Sequence, residues 1–242
     1  MSVLEIRSLT IRVNDKDLIS NFSACIDKPA FVAILGHNGI GKSTFLKALN
    51  KQISYKGKIL INQTDIQTIS ESNLSQFVSY LQQKNPVFFE ITTLELVVMG
   101  RFRYKKFLDT YSSSDYELAS QAMEQLGILH LATKNFSNLS GGEQQLVWIA
   151  QMLLQDTDIW MLDEPTQQLD LYNKKVVFTL LKKLAKEKNK TILCITHDVN
   201  CLSEFEGEYY INLSSEKPAL KTISSGDLQT EICILESLPL YN

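Results

Sequence analysis

The chain has 242 residues, 44% of them hydrophobic, with 24 basic side chains against 27 acidic ones and a net charge of -3. That length holds one large domain or two small ones with a sizeable core. The charges are mixed, with no basic run and no acidic tail, so a nucleic-acid partner is not expected.

No apolar run approaches the ~18 residues of a membrane span. Met1–Ile6 lacks the layout of a signal peptide. A soluble chain is therefore expected, free to dock on a membrane protein. Cys25, Cys194, Cys201 and Cys233 form no Cys-x-x-Cys pair and read as reduced, small apolar fillers.

Apolar and polar residues alternate over Ser2–Val13 and again over Leu18–Ile26, which predicts an antiparallel hairpin around Asn14-Asp15-Lys16-Asp17. Ala30–Leu35 is continuously apolar and reads as a buried strand. Gly36-His37-Asn38-Gly39-Ile40-Gly41-Lys42-Ser43-Thr44 follows, and Phe45–Leu49 reads as a helix. Strand, glycine-rich loop and helix in that order are the setting of a phosphate-binding loop. The glycines let backbone N–H groups converge on an anion, and the helix start adds unpaired N–H groups and its positive dipole end. Lys42 can reach the β- and γ-phosphates of a nucleotide, and the Ser43 hydroxyl can bind Mg²⁺.

Gly57–Asn62 reads as a strand, Glu71–Phe77 as a short helix and Phe77–Leu81 as a strand ending at Gln82 and Gln83. From Asn85 the character becomes helical. Helices are predicted over Thr93–Arg101, over Asp115–Gly127 with Leu118, Ala122 and Leu126 on one face, and from Leu139-Ser140-Gly141-Gly142-Glu143-Gln144 to Leu154. Ser112–Asp115 reads as a loop ending in an N-cap at Asp115. The α/β pattern resumes with the strand Asp158–Pro165, the helix Tyr172–Glu187, the strand Lys190–Asp198 and a closing hairpin of Glu208–Leu213 with Lys217–Ile223.

Asp163 and Glu164 stand where an apolar strand meets the loop face of the sheet, the edge where ligands of open α/β sheets bind. One carboxylate there can hold Mg²⁺ through its water shell, and its neighbour can activate a water. The amide oxygen of Gln83 is a hard ligand that could complete the Mg²⁺ shell, although Gln82 beside it leaves the register open. His197, at another strand end, could bond the γ-phosphate and hold the water geometry. Ser140-Gly141-Gly142 opens a second helix and forms another anion site with no lysine of its own. A dimer explains it, the second site binding the partner's nucleotide across a two-fold interface.

This ordered set resembles an ATP-binding cassette (ABC) ATPase over nearly the whole chain. Gly36–Thr44, Gln83, Ser140–Gln144, Asp163 with Glu164, Asp170 and His197 match that family's Walker A, Q-loop, signature, Walker B, D-loop and switch histidine. The resemblance favours Gln83, because Gln82 stands where the family commonly has Pro. It implies a single ABC ATPase domain over 1–242, with a P-loop NTPase α/β core (1–83 and 156–242). The core carries an N-terminal antiparallel β region, and a helical subdomain (about 84–155) is inserted into it.

The implied catalytic residues are Glu164, His197 and Lys42. The implied nucleotide-binding residues are Gly36, His37, Asn38, Gly39, Gly41, Lys42, Ser43, Thr44, Gln83, Ser140, Gly141, Gly142 and Asp170. Ser43, Gln83 and Asp163 would hold Mg²⁺. ATP and Mg²⁺, a homodimer of ATPase subunits, integral membrane permease subunits and, indirectly, a substrate-binding protein are the implied partners. The implied location is the cytoplasmic face of the cell membrane.

Thr92–Arg101, with its Gly100-Arg101 pair, and Gln151–Asp156 are similar to cassettes of iron-siderophore, haem and cobalamin importers. An exporter subunit and a non-transport ABC ATPase acting on nucleic acid or ribosomes are the alternatives. A metabolic P-loop kinase does not account for the signature or His197. Two departures stand out. Val13 occupies the place where the family stacks an aromatic on adenine, and Gln167-Gln168 precede Leu169-Asp170 where small residues are usual.

Overall fold

The computed structural model describes residues 2–83, 85–106, 108–224 and 226. Strands β1 (Leu4–Val13) and β2 (Lys16–Ile26) form the expected hairpin. The turn is narrower than the sequence suggested. Val13 pairs with Lys16, and only Asn14 and Asp15 are left in the loop, with φ of 47° and 59°. Two left-handed residues give a turn whose twist matches the strands, and Asn and Asp tolerate that conformation best after glycine. β4 (Lys56–Ile61) pairs antiparallel with β1, and the short β5 (Thr64–Asp65) completes a sheet ordered β2-β1-β4-β5.

The second sheet runs β10-β9-β3-β8-β7-β6. Its strands are β3 (Phe31–Leu35), β6 (Val78–Leu81), β7 (Ile159–Asp163), β8 (Thr191–Ile195), β9 (Tyr209–Asn212) and β10 (Leu220–Thr222). All neighbours are parallel except β9 with β10, the closing hairpin. β3, β7 and β8 are buried along their whole length, which is why they read as unbroken apolar runs. Side chains alternate across the sheet. Phe31, Ala33 and Leu35 enter one core with Trp160, Leu162 and the helical block. Val32 and Ile34 enter the other with Phe45, Leu46 and the inner face of the antiparallel sheet.

Helices α1 (Lys42–Leu49), α2 (Glu71–Leu74) and α6 (Leu171–Glu187) belong to the α/β part. α2 is shorter than the expected Glu71–Phe77. Its last amide bonds turn back within one turn, and Phe77 already feeds β6 by accepting a bond from Ile159. The helical block consists of α3 (Thr93–Val98), α4 (Ser113–Gln125) and α5 (Gly141–Gln155), with 3₁₀ turns between them. Its predicted start at Lys84 lies outside the described residues.

Three expectations in this block are corrected. α3 ends at Val98, and Met99–Tyr104 is a 3₁₀ helix. Gly100 lies there against α5, where a Cβ would stand 2.3 Å from the Gln151 carbonyl oxygen. α4 begins at Ser113 rather than Asp115. Ser112 is its N-cap, and Asp115, the third residue of the first turn, is the partner in a capping box: its carboxylate takes the Ser112 amide at 2.8 Å and hydroxyl at 2.7 Å. That carboxylate also meets Lys105 and Arg101, and these bonds hold it well below the usual carboxylate range. The buried stripe of α4 is Asp115, Ala119, Ala122 and Met123, continued by Leu126, whereas Leu118 is exposed. Gly127 ends the helix as expected, with φ 70°.

Of the four cysteines, Cys25, Cys194 and Cys201 are free thiols, and Cys233 lies outside the described residues. Cys194 is buried as a small apolar residue, whereas Cys201 is half-buried and Cys25 is exposed with its thiol on Asp27. Among the described residues no helix is long and apolar enough to cross a membrane.

Candidate functional site

The loop between β3 and α1 is held open by its glycines. Gly41 is the N-cap of α1 in the left-handed region, φ 107°, and no side chain caps the helix. The first-turn N–H groups therefore have no side-chain partner of their own. Gly36 has φ 146°, and a Cβ there would lie 3.1 Å from Ser214 Oγ and 3.0 Å from Ile40. Ser214 accepts the His37 amide at 2.9 Å and is itself held by Asn212 Oδ1 at 2.9 Å. Lys42 is buried and donates to the carbonyls of Gly36 (2.8 Å) and His37 (3.2 Å). Burial pushes its ammonium below the usual lysine range, while Glu164 and Asp163 pull it back up.

A cleft of about 450 Å³ faces this loop, lined by Asn38, Gly39, Gly41, Lys42, Ser43, Thr44, Gln83, Glu164, Gln167, His197 and Leu18. Residues separated by more than 100 positions in sequence meet here because β3, β6, β7 and β8 are parallel neighbours, so their carboxyl ends share one edge. Gly36 and His37 stand behind the loop and serve Lys42 through their carbonyls.

Asp163 ends β7 and is buried. Its Oδ1 has no hydrogen-bond partner among the described residues, and burial pushes its carboxyl up against the opposing Ser43 hydroxyl bond. A buried carboxylate oxygen with nothing on it is costly unless a cation or water completes it. Together with the Ser43 hydroxyl, that oxygen suits a hard divalent ion such as Mg²⁺.

Glu164 leaves the strand in the left-handed region, φ 53°, with its amide on the Ile195 carbonyl at 3.1 Å. A non-glycine residue there carries strain of about 1–3 kcal/mol. Its two carboxylate oxygens are shared out. Oε1 faces His197 Nε2 at 3.2 Å, and Oε2 accepts from Gln83 Nε2 at 3.0 Å. A carboxylate only accepts, so Nε2 is the donor of this pair. The segment carrying His197 is pinned by Asp198, which accepts from Thr166 at 2.6 Å and pairs with Lys174 at 2.5 Å.

The signature residues lie in a different cleft, lined by Ser140, Gly141, Gly142, Gln168, Leu169 and Asp170 among others. Ser140 is the N-cap of α5 in a capping box with Glu143, whose carboxyl is held below its usual range by the Ser140 amide and hydroxyl. Gln168 lies over the glycines, so that a Cβ on Gly141 would stand 2.3 Å from its Oε1. Asp170 caps α6 by accepting the Asn173 amide at 2.8 Å. Within one chain, then, Lys42, Ser43, Gln83, Glu164 and His197 come together, while Ser140, Gly141, Gly142 and Asp170 line a second cleft. Val13 is exposed at the hairpin tip, and Leu18 lines the nucleotide-sized cleft instead.

Sequence reasoning missed Gln167, Ser214, Thr166 and Lys174. The motif offered a signal for Gln167 alone, as a long polar residue beside the paired acids.

The ABC transporter family model matches residues 19–167. An achromobactin transport ATP-binding protein of Dickeya dadantii is 35% identical over 201 residues, 83% of this chain and 75% of the relative. An iron(3+)-hydroxamate import ATP-binding protein of Bacillus subtilis is 32% identical over 206 residues, 85% of this chain and 77% of the relative. Among solved structures, a metal-chelate type ABC transporter in an inward-facing conformation superposes with a TM-score of 0.80 at 28% identity, covering 99% of this chain and 90% of that one. The chain belongs to the ABC transporter family, as an ATP-binding subunit with ATPase activity.

Proposed function

We propose that this chain powers the import of a metal chelate of the iron-siderophore class, docked through permease subunits on the cytoplasmic face of the membrane. The relatives named above carry achromobactin transport and iron(3+)-hydroxamate import in their names, and the similar solved chain is of metal-chelate type. The observation that carries the ATPase part is Glu164. It stands across one cleft from Lys42, with His197 on one carboxylate oxygen and Gln83 on the other.

Each residue has a distinct task. Lys42 exchanges its bonds to the Gly36 and His37 carbonyls for the β- and γ-phosphate oxygens of ATP. Gly39, Gly41, Ser43 and Thr44 offer backbone N–H groups to the same anion. Glu164 takes a proton from a water whose oxygen attacks the γ-phosphorus. The bond to the bridging oxygen breaks, and ADP leaves with that electron pair. His197 holds Glu164 and the γ-phosphate in register. Ser43, Gln83 and the orphaned oxygen of Asp163 would hold Mg²⁺, which when bound neutralises charge on the phosphates.

Ser140, Gly141 and Gly142, lying outside the Lys42 cleft, serve the nucleotide of a second copy in a head-to-tail homodimer. Residues 1–83 and 156–242 act as the catalytic core, and about 84–155 as the helical subdomain that meets the permease.

The test is uptake. In cells whose own copy is replaced by the Glu164→Gln form, transport of one class of radiolabelled ferric chelate should stop while other iron sources are taken up normally. Unchanged uptake of every chelate class would sink the import reading.

A further inference from the structure

Gln83 sits just past β6 and is exposed, so no packing fixes its side-chain amide. Two hydrogen bonds do. Its Nε2 donates to Glu164 Oε2 at 3.0 Å and to Gln167 Oε1 at 3.0 Å. An ionised carboxylate has no hydrogen to give, so Gln83 must turn its NH₂ group toward Glu164. Gln167 must then turn its carbonyl oxygen toward Gln83. Both amide hydrogens of Gln83 are spoken for, and its own Oε1 is the polar atom left over.

We propose that Gln167 is a positioning residue: it completes the pair of acceptors that lock the Gln83 amide, so that Gln83 keeps an oxygen rather than an NH₂ group available to the cation that accompanies the nucleotide. With a single acceptor, the amide pivots about one bond. With two, rotation breaks two bonds together.

The backbone under Gln167 suits this task. Its amide returns to the Glu164 carbonyl at 3.3 Å, and the preceding Thr166 is buried with its hydroxyl on Asp198. The next buried anchor is Leu169. Gln167 is thus a long side chain on a fixed turn, lining the same cleft as Lys42 and Glu164. A serine or threonine at this position would end two bonds short of the Gln83 amide.

The inference rests on the reading of Gln83 as a cation ligand, and the experiment separates the two. Equilibrium binding of a fluorescent ATP analogue to the full chain is measured with Mg²⁺ and again with EDTA. The proteins are wild type, Gln167→Met, Gln167→Ala, Gln83→Ala and the Gln83→Ala/Gln167→Met double variant. Methionine keeps the length of the side chain and removes the acceptor, and alanine removes both.

Loss of one hydrogen bond should weaken binding with Mg²⁺ by about 3- to 10-fold in both Gln167 variants, with binding in EDTA unchanged. The double variant should bind no more weakly than Gln83→Ala, because Gln167 acts only through Gln83. Equal weakening in Mg²⁺ and EDTA, no weakening at all, or full additivity in the double variant would each overturn the positioning role. If Gln83→Ala itself leaves Mg²⁺-dependent binding intact, the ligand reading of Gln83 fails, and the role of Gln167 fails with it.

Discussion

Ser214 accepts a hydrogen bond from the His37 amide at 2.9 Å and so ties the phosphate loop to the residue that follows the β9 strand by two positions. The bond spans 177 positions in sequence. Gly36, whose carbonyl holds Lys42, is wedged against the same serine. Removing the hydroxyl should loosen the loop without touching a phosphate ligand. Ser214→Ala should weaken ATP binding about 3- to 10-fold, the worth of one buried hydrogen bond. Calorimetric titration with ATP checks it, and unchanged affinity would mean that the loop holds its shape without this tie.

The charge on Lys42 sets a pH limit on binding. Burial lowers its pKa relative to an ordinary lysine. Between the lowered folded value and the ordinary one, the unfolded chain binds the extra proton, so nucleotide-free stability rises with pH across that window. ATP affinity runs the other way, because the phosphates need the charged ammonium. Affinity should therefore begin to fall at a pH below the ordinary lysine range. In Lys42→Ala it should be weak and flat over the same range. Titrations from neutral to alkaline pH decide, and a flat wild-type profile would contradict the assignment.

Asp163 carries a cost when its site is unfilled. Its folded pKa is raised by burial, so the stability it permits is fully present below the ordinary aspartate value and is lost as pH rises through the raised one. Asp163→Asn removes that loss. At neutral pH and without nucleotide, the variant should be more stable than wild type, because the wild type must keep a buried carboxylate ionised. It should also lose the Mg²⁺ dependence of ATP binding. Denaturant unfolding at neutral and acidic pH tests the first half, since the gain should vanish once wild-type Asp163 is protonated.

The parts legible in the sequence were those in which neighbours in the chain are also neighbours in space. The phosphate loop is nine consecutive residues whose glycines answer a local steric demand. Asp163 and Glu164 follow a strand buried on both faces, which places them at the ligand edge before any contact is known. The capping box at Ser140 was visible as a helix start for the same reason. What stayed hidden depended on register across the sheet.

Nothing near Ser214 in sequence announces His37. Gln83 could be placed at a strand end, but not on Glu164 and Gln167, because those contacts need β6 and β7 to lie side by side. α4 starts two residues before the expected Asp115. Asp115 looks like a cap until its carboxylate is seen reaching back to Ser112 while gathering Lys105 and Arg101. Leu118 looked like core because it is apolar, yet the stripe that meets α5 passes through Ala119 and Met123.

The central claim is that Glu164 removes a proton from water at a shared nucleotide site. The most direct measurement is on Glu164→Gln with ATP and Mg²⁺, following bound nucleotide by chromatography and mass by light scattering. An amide keeps the shape of the carboxylate but cannot take the proton, a change worth about 10²- to 10⁴-fold in rate. The account predicts wild-type ATP affinity, uncleaved ATP retained on the protein, and a particle of twice the monomer mass. Hydrolysis near the wild-type rate, or a monomer at saturating ATP, would contradict it.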